Sequence, residues 1–450
     1  MNIIISNKLF IDGIDQELIN KLKNAFTMEN PKWKENDKHG RSNWSTPRQL
    51  RFYSETDSGK LVLPRGYIDN LKSYAEKNNI KINEDDRRIF LDGTYFKFKG
   101  ELRPFQKEAV NNLLKSDQGV LSSPTGSGKT VTALYMIQKR SQPTLVIVHT
   151  KELLYQWIER SLQFLNVSRD EIGVIGDGKR LLGEKLTISL IQSLINYTDQ
   201  IESEIGHVIV DEGHRVPSKV FSTAVSSMRP KYLLGLSTTP WRHDGLTKLI
   251  YWYMGNLQHK VDPQKLIDKG EILPLKIVIR HTGCTLPYPE DVYTKIISKL
   301  VKNKERNLFI IRDIASETRN GICLVLSDRK IHLKTMQNMM GSKFPQIKTK
   351  LLIGTTSTME RQETIDQANK NEINVLFATS KLIGEGFDCK NLTILFLTVP
   401  ISAPGRVIQY AGRVTRKAHP GKTPKLYDYV DNIDILYGSA KSRQRVYKNL

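Results

Sequence analysis

The pattern of apolar and polar positions changes character once along this 450-residue chain, near residue 100. Before that point the apolar runs are short and widely separated. Residues 2–6 read as a strand, and residues 15–26 place Leu18, Leu22 and Ala25 at helical spacing. Residues 50–53 and 61–67 are strand-like on either side of a turn at 57–60, and residues 68–78 read as a second helix. The pattern predicts a small α+β module. From Glu101 onward, nearly wholly apolar runs alternate with helical stretches: 119–121, 145–148, 188–190, 207–210, 321–326, 375–378 and 392–397. Strands without a polar face are covered on both sides, as in a parallel sheet flanked by helices. Residues 269–274 read as the entry to a linker. The resulting division is 1–85, 86–275 and 276–450.

Length agrees, since 450 residues exceed what one ordinary core accommodates. Charge adds a partner. Lys and Arg number 68 against 47 Asp and Glu, a net +21 scattered along the chain. Such a balance suits a polyanion, most simply nucleic acid, beyond what colloidal solubility needs. Cys284, Cys323 and Cys389 are far apart and form no metal spacing, which points to a reducing compartment. The opening MNIIISNKLF lacks a basic flank and a cleavage site, and no run approaches the ~18 apolar residues of a membrane span. The expectation is a cytoplasmic protein with no membrane partner.

The chemistry centres on one stretch. The strand at 119–121 runs through Ser122 and Ser123 into Pro124, Thr125, Gly126, Ser127 and Gly128, then Lys129 and Thr130 open a helical stretch. Small residues let backbone N–H groups converge on phosphates at a helix N-terminus. Lys129 can reach the β- and γ-phosphates of ATP, and the Thr130 hydroxyl can ligand Mg²⁺. Ser123 replaces the first glycine of the general pattern. Upstream, Gln106 carries an amide able to pair with adenine, and Arg103 accompanies it as a nucleotide contact. The strand at 207–210 delivers Asp211 and Glu212 at its carboxyl end, where open α/β sheets bind ligands. Asp211 suits Mg²⁺, and Glu212 suits activation of the attacking water.

Other residues suit nucleic acid. Thr150 and Lys151 follow a buried strand, with Thr150 a helix N-cap. Gln192 and Ser193 occupy a second strand-to-helix junction, and Thr379 and Ser380 a third. In the N-terminal module, Lys32, Lys34, Arg41, Arg48 and Arg51 alternate with Trp33 and Trp44. That mixture suits phosphate contacts plus base stacking. The two tryptophans are equally compatible with a place in the module's own core.

Taken together, SSPTGSGKT, DEGH, LSTTPWRHDG, ATSKLIGEGFD and QYAGRVTR occur in the order and rough spacing of superfamily 2 helicases and translocases, which the chain resembles over about residues 100–420. Ser237-Thr238-Thr239 stands where Ser-Ala-Thr is commoner, and DEGH where relatives have DEAH or DEAD. Both changes argue against a standard DEAD-box RNA helicase. The resemblance implies an α/β fold of two RecA-like parallel-sheet lobes behind the small N-terminal α+β domain, with ATP in a cleft and nucleic acid across both lobes. The second lobe lacks a P-loop. It offers Gln409, Gly412, Arg413 and Arg416 at spacings that share one helix face, with the arginines suited to charge developing on the γ-phosphate. Glu385, Gly386, Phe387 and Asp388 sit at a strand-to-helix crossover suited to sensing nucleotide.

A motor core behind a basic, aromatic module resembles phage-type branch-migration helicases and their repair relatives. This implies forked or four-way-junction DNA, double- and single-stranded, as substrate in replication, recombination or repair. It also implies a monomeric motor, in the host cytoplasm if the chain is viral. Two alternatives stay open: a duplex translocase or annealing motor that never separates strands, and a nucleotide-gated binder with negligible turnover. Glu212, Arg413 and Arg416 argue against the last.

Overall fold

The computed structural model describes residues 1–216, 218–239, 245–286, 292–384, 387, 389–401, 404–415 and 423–448. The chain forms two compact units, one of residues 1–123 and 128–261, the other of residues 262–450 with the short segment 124–127.

The first unit holds two sheets that matter here. The N-terminal one orders Ser54–Glu55, Leu61–Pro64, Lys8–Asp12, Asn2–Ile5 and Asn83–Asp86, antiparallel except for the last pair. Ile3, Ile5, Leu9, Ile11, Leu61 and Leu63 point inward at alternate positions, onto Leu18 and Leu22 of the helix Gln16–Ala25 and Leu71 of Ile68–Lys77. Their core extends beyond the module. Leu249 and Trp252, from the helix Thr247–Met254, belong to the same cluster. Trp252 lies 4.4 Å from the ring of Phe26 and 5.6 Å from that of Phe52. Gly66 allows this approach, because a Cβ there would fall 2.4 Å from the Trp252 carbonyl oxygen.

The apolar reading places residues 50–53 in a strand, and pairing is confined to Gln49–Arg51 against Thr27–Glu29. The polar stretch before it contains a helix, Pro31–Lys38, with no buried residue. Its start is set locally: Asn30 accepts from the Lys32 N–H, and Pro31 occupies the first turn.

The larger sheet has eight strands in the order Lys179–Leu181, Ile172–Gly176, Leu186–Leu190, Thr144–Val148, His207–Val210, Tyr232–Ser237, Gln118–Ser122 and Leu257–Lys260. All neighbours are parallel except the hairpin that pairs Lys179–Leu181 with Ile172–Gly176. The central strands are buried throughout, as expected of apolar runs covered on both faces.

The second unit is built on a wholly parallel six-stranded sheet: Lys276–His281, Lys425–Val430, Leu392–Leu397, Ile322–Ser327, Val375–Thr379 and Thr349–Leu352. Two ion pairs are buried in it, Arg306 with Asp431 at 2.6 Å and Arg443 with Asp428 at 2.9 Å. The fold is therefore α/β, two RecA-like parallel-sheet lobes with a small α+β domain at the N-terminus. The three cysteines are free and buried. No helix among the described residues is long and apolar enough to cross a membrane.

Candidate active site

Three adjacent strands of the first unit end together. Gln118–Ser122 leads into the glycine loop, Tyr232–Ser237 into Thr238, and His207–Val210 into Asp211 and Glu212. In the loop, Gly126 and Gly128 both adopt φ +83°, where a side chain would be strained. A Cβ on Gly128 would lie 2.6 Å from Nε2 of Gln106. The helix Lys129–Arg140 follows at once, so Lys129 and Thr130 are its first two residues.

Side chains connect the strand ends, and Ser237 Oγ lies 3.4 Å from His214 Nδ1, just beyond the acidic pair. The Ser123 N–H donates to the Ser237 carbonyl at 3.0 Å. Lys129 Nζ donates to the Ser123 carbonyl at 3.0 Å and to Thr238 Oγ1 at 2.8 Å. Ser127 Oγ closes the turn on the Pro124 carbonyl at 2.7 Å. Thr125 Oγ1 is buried and makes no hydrogen bond among the described residues. Gln106 is 4% exposed in the helix Pro104–Leu113. Its Oε1 accepts from the Arg103 N–H at 2.9 Å, and its Nε2 donates to the Gly128 carbonyl at 3.4 Å.

The acidic pair is electrostatically divided. Asp211 is buried, and burial plus the neighbouring Glu212 charge push its carboxyl above the ordinary range, although Trp157 Nε1 donates to its Oδ2 at 2.8 Å. Glu212 is half-buried, and the His214 imidazole, with Nδ1 3.2 Å from Oε2, and the charges of Lys129 and His149 hold it down at about 2. Glu212 takes φ +55°, which turns the chain sharply after Asp211. The two are thus unequal: Glu212 stays ionised at neutral pH, whereas ionised Asp211 favours a compensating cation beside it.

The remaining positions fall as follows. Thr150 caps the helix Lys151–Phe164 through the Leu153 N–H, and Lys151 pairs with Asp177, which also accepts from Tyr155. Gln192 is exposed and Ser193 half-buried on the short helix Ile191–Leu194. In the second unit Thr379 ends its strand and Ser380 starts the helix Ser380–Gly384, at 9% and 1% exposure. Gln409, Gly412 and Arg413 lie on the helix Pro404–Val414, and Arg413 Nη1 donates to the Phe387 carbonyl at 2.9 Å. Arg416, Glu385, Gly386, Asp388 and residues 240–244 lie outside the described residues. In the N-terminal module Trp44 is 98% exposed and so is no core residue, while Trp33 is half-buried beneath the Arg48 guanidinium, 5.3 Å from its ring centre.

Four contributors carry no role in the sequence reading: Trp157, His214, Ser237 and Thr238. The last three stand in the DEGH and LSTTPWRHDG motifs, which by themselves assign them no contact. Trp157 reads as an ordinary apolar helix residue, and only the fold brings its N–H to Asp211.

A glycine loop between a buried parallel strand and a helix, with a lysine inside it and an acidic pair on a nearby strand, defines a P-loop nucleotide-driven enzyme. Residues 99–242 match the family described as "Type III restriction enzyme, res subunit", and residues 305–418 the "Helicase conserved C-terminal domain". A protein of Acanthamoeba polyphaga mimivirus, provisionally named an ATP-dependent RNA helicase, is 28% identical over 375 residues, 78% of this chain and 68% of its own. The "DNA 3'-5' translocase XPB2" of Sulfurisphaera tokodaii is 26% identical over 412 residues, covering 83% and 89%. The "ATP-dependent DNA helicase uvsW" of Enterobacteria phage T4 is 22% identical over 470 residues, covering 96% and 90%. The crystal structure of T4 UvsW aligns with a TM-score of 0.45 at 18% identity, over 100% of this chain and 98% of that one. The chain belongs to the superfamily 2 helicases, related to phage and repair helicases, and is an ATP-dependent helicase enzyme.

Proposed function

We propose that this helicase acts on DNA, coupling hydrolysis of Mg²⁺–ATP to the unwinding and branch migration of forks and four-way junctions in replication, recombination or repair, as a monomer in the cytoplasm, a host's if the chain is viral. The observation that carries the hydrolytic part is the convergence of three adjacent strand ends, with Lys129 bonded to Thr238 and its charge favouring ionisation of both Asp211 and Glu212. Thr130 and Asp211 offer the hard oxygen donors that Mg²⁺ prefers, and a divalent cation would relieve the crowding of two adjacent carboxylates. Bound Mg²⁺ would neutralise phosphate charge. Lys129 would hold the β- and γ-phosphates, Glu212 would take a proton from the attacking water, and Arg413 and Arg416 would steady charge on the transferring phosphoryl group. Gln106 and Arg103 would orient the base, with Gly386, Asp388 and Gln409 as further nucleotide contacts.

The choice of DNA rests on the net charge of +21 and on the module's exposed Trp44 between Arg41 and Arg48. Lys151, Gln192, Thr150, Ser193, Thr379 and Ser380 remain the proposed backbone contacts of the motor core. The test compares ATPase stimulation and strand separation on a four-way junction, a fork, blunt duplex, single-stranded DNA and RNA of one sequence. Branched DNA should stimulate most and be remodelled. Stimulation by duplex without separation would make this a translocase, in keeping with the name of the archaeal relative. Stimulation by RNA alone would refute the DNA reading.

A further inference from the structure

One cavity of the first unit lies away from the nucleotide site. A groove of about 470 Å³ runs between the N-terminal sheet and the helix Lys219–Ser227. Its walls combine three chemistries. Lys8 and Arg51 are exposed cations at the rim. Half-buried Phe52, Tyr53 and Tyr253 line it with aromatic rings, and Ser222 and its neighbours supply hydroxyls. No carboxylate is present among the described residues that line it. That absence of acid matters in a groove with two cations, because nothing there neutralises them. The two sides are fastened together, since Asn7 Nδ2 donates to the Ser226 carbonyl at 2.7 Å. Trp252, packed on Phe26 and Phe52, braces the same junction from within. The groove is therefore a fixed feature of the unit.

We infer that this groove binds single-stranded DNA, holding about one nucleotide with its base against the aromatic wall and its flanking phosphates on Lys8 and Arg51. The inference rests on the DNA reading above. It deepens that reading by naming a strand-binding site that shares no residue with the P-loop. The volume is that of a small-ligand pocket, roughly 300–1,000 Å³, so a nucleotide fits and a duplex does not. A duplex would also hide the base faces that the rings require. Stacking is indifferent to sequence, and each phosphate contact adds salt dependence. The site would thus hold a displaced strand of any sequence.

The test measures binding of a fluorescent oligothymidylate to the full chain by anisotropy over a range of salt concentrations. Lys8→Ala with Arg51→Ala should weaken binding at least about tenfold at low salt and flatten the slope of log K against log salt by about 1.4, or about 0.7 per lost phosphate contact. Thr223→Glu, at an exposed position on the groove's helix side, should weaken binding similarly by adding the missing negative charge. Both variants should melt within a few degrees of the parent. A 5-iodouracil oligonucleotide should photocross-link to Phe52, Tyr53 or Tyr253. A parent that binds no DNA at all would defeat the DNA reading itself. A parent that binds DNA, with both variants unchanged and cross-links confined to other segments, would overturn the groove alone.

Discussion

Lys129 Nζ and Thr238 Oγ1 lie 2.8 Å apart, joining the glycine loop to the end of the neighbouring strand. The lysine is thereby held over the loop with its charge near Glu212, whose ionisation it favours. Lys129→Ala should abolish ATP hydrolysis, since no other described side chain of the loop carries a cation. Binding of DNA without nucleotide should persist. Normal turnover by this variant, in a phosphate-release assay, would remove the nucleotide site from this loop.

Arg413 donates to the Phe387 carbonyl from a helix of the second unit. In its proposed role of steadying charge that builds on the phosphoryl group, Arg413→Ala should leave ATP affinity within about tenfold, or ~1.4 kcal/mol, yet slow hydrolysis far more. Arg416→Ala should behave likewise. Loss of ATP binding with turnover at saturation intact would make both ground-state ligands.

Trp252 belongs to the core of a module that begins some two hundred and fifty residues earlier in the chain. Trp252→Ala should cost about 3–5 kcal/mol, a typical figure for a buried aromatic, read as a lower urea midpoint of the first unit. A chain starting at Asp86 would expose Trp252 and Leu249 and cut into the strand Asn83–Asp86. Aggregation is expected of it. Point changes are the cleaner probe: Arg41→Ala with Arg48→Ala should weaken junction binding and its salt slope, with melting nearly unchanged. Unaltered binding would take those residues out of DNA recognition.

These cases show what the linear pattern carries and what it cannot. Parallel strands such as Thr144–Val148 and His207–Val210 are legible because burial on both faces leaves an apolar run. The glycine loop is legible because its chemistry is consecutive. The helix Pro31–Lys38 escapes hydrophobic periodicity, having nothing to bury, although Asn30-Pro31 marks its start. The Trp157–Asp211 bond spans 54 positions and the Lys129–Thr238 bond 109. Side chains so distant in sequence meet only through strand order, which no local pattern encodes.

His207 and His332 are fully buried, and burial, reinforced by Arg140 and Arg306 respectively, lowers each to about 3. Each stays neutral in the folded chain but takes a proton near pH 6.5 when unfolded. Stability should therefore fall as pH drops below 6.5, by up to about 1.4 kcal/mol per pH unit for each histidine, until the folded-state value is reached. Between pH 6.5 and 5 that is about 2 kcal/mol each. His332→Gln can keep bonds to Ser327 and Asn307 without titrating, so urea unfolding of the second unit should lose that part of its pH slope. An unchanged slope would show that other groups govern acid sensitivity.

The left-handed turn at Glu212 has a consequence for any attempt to harden this enzyme. A glutamate at φ +55° carries a conformational cost of about 1 kcal/mol that glycine would not. Glu212→Gly should release that strain but also lose the ionised carboxylate beside His214, and with it the base proposed for hydrolysis. Relief of backbone strain and loss of the proposed base would arrive together at this position, so a screen for thermostable variants has to score turnover as well.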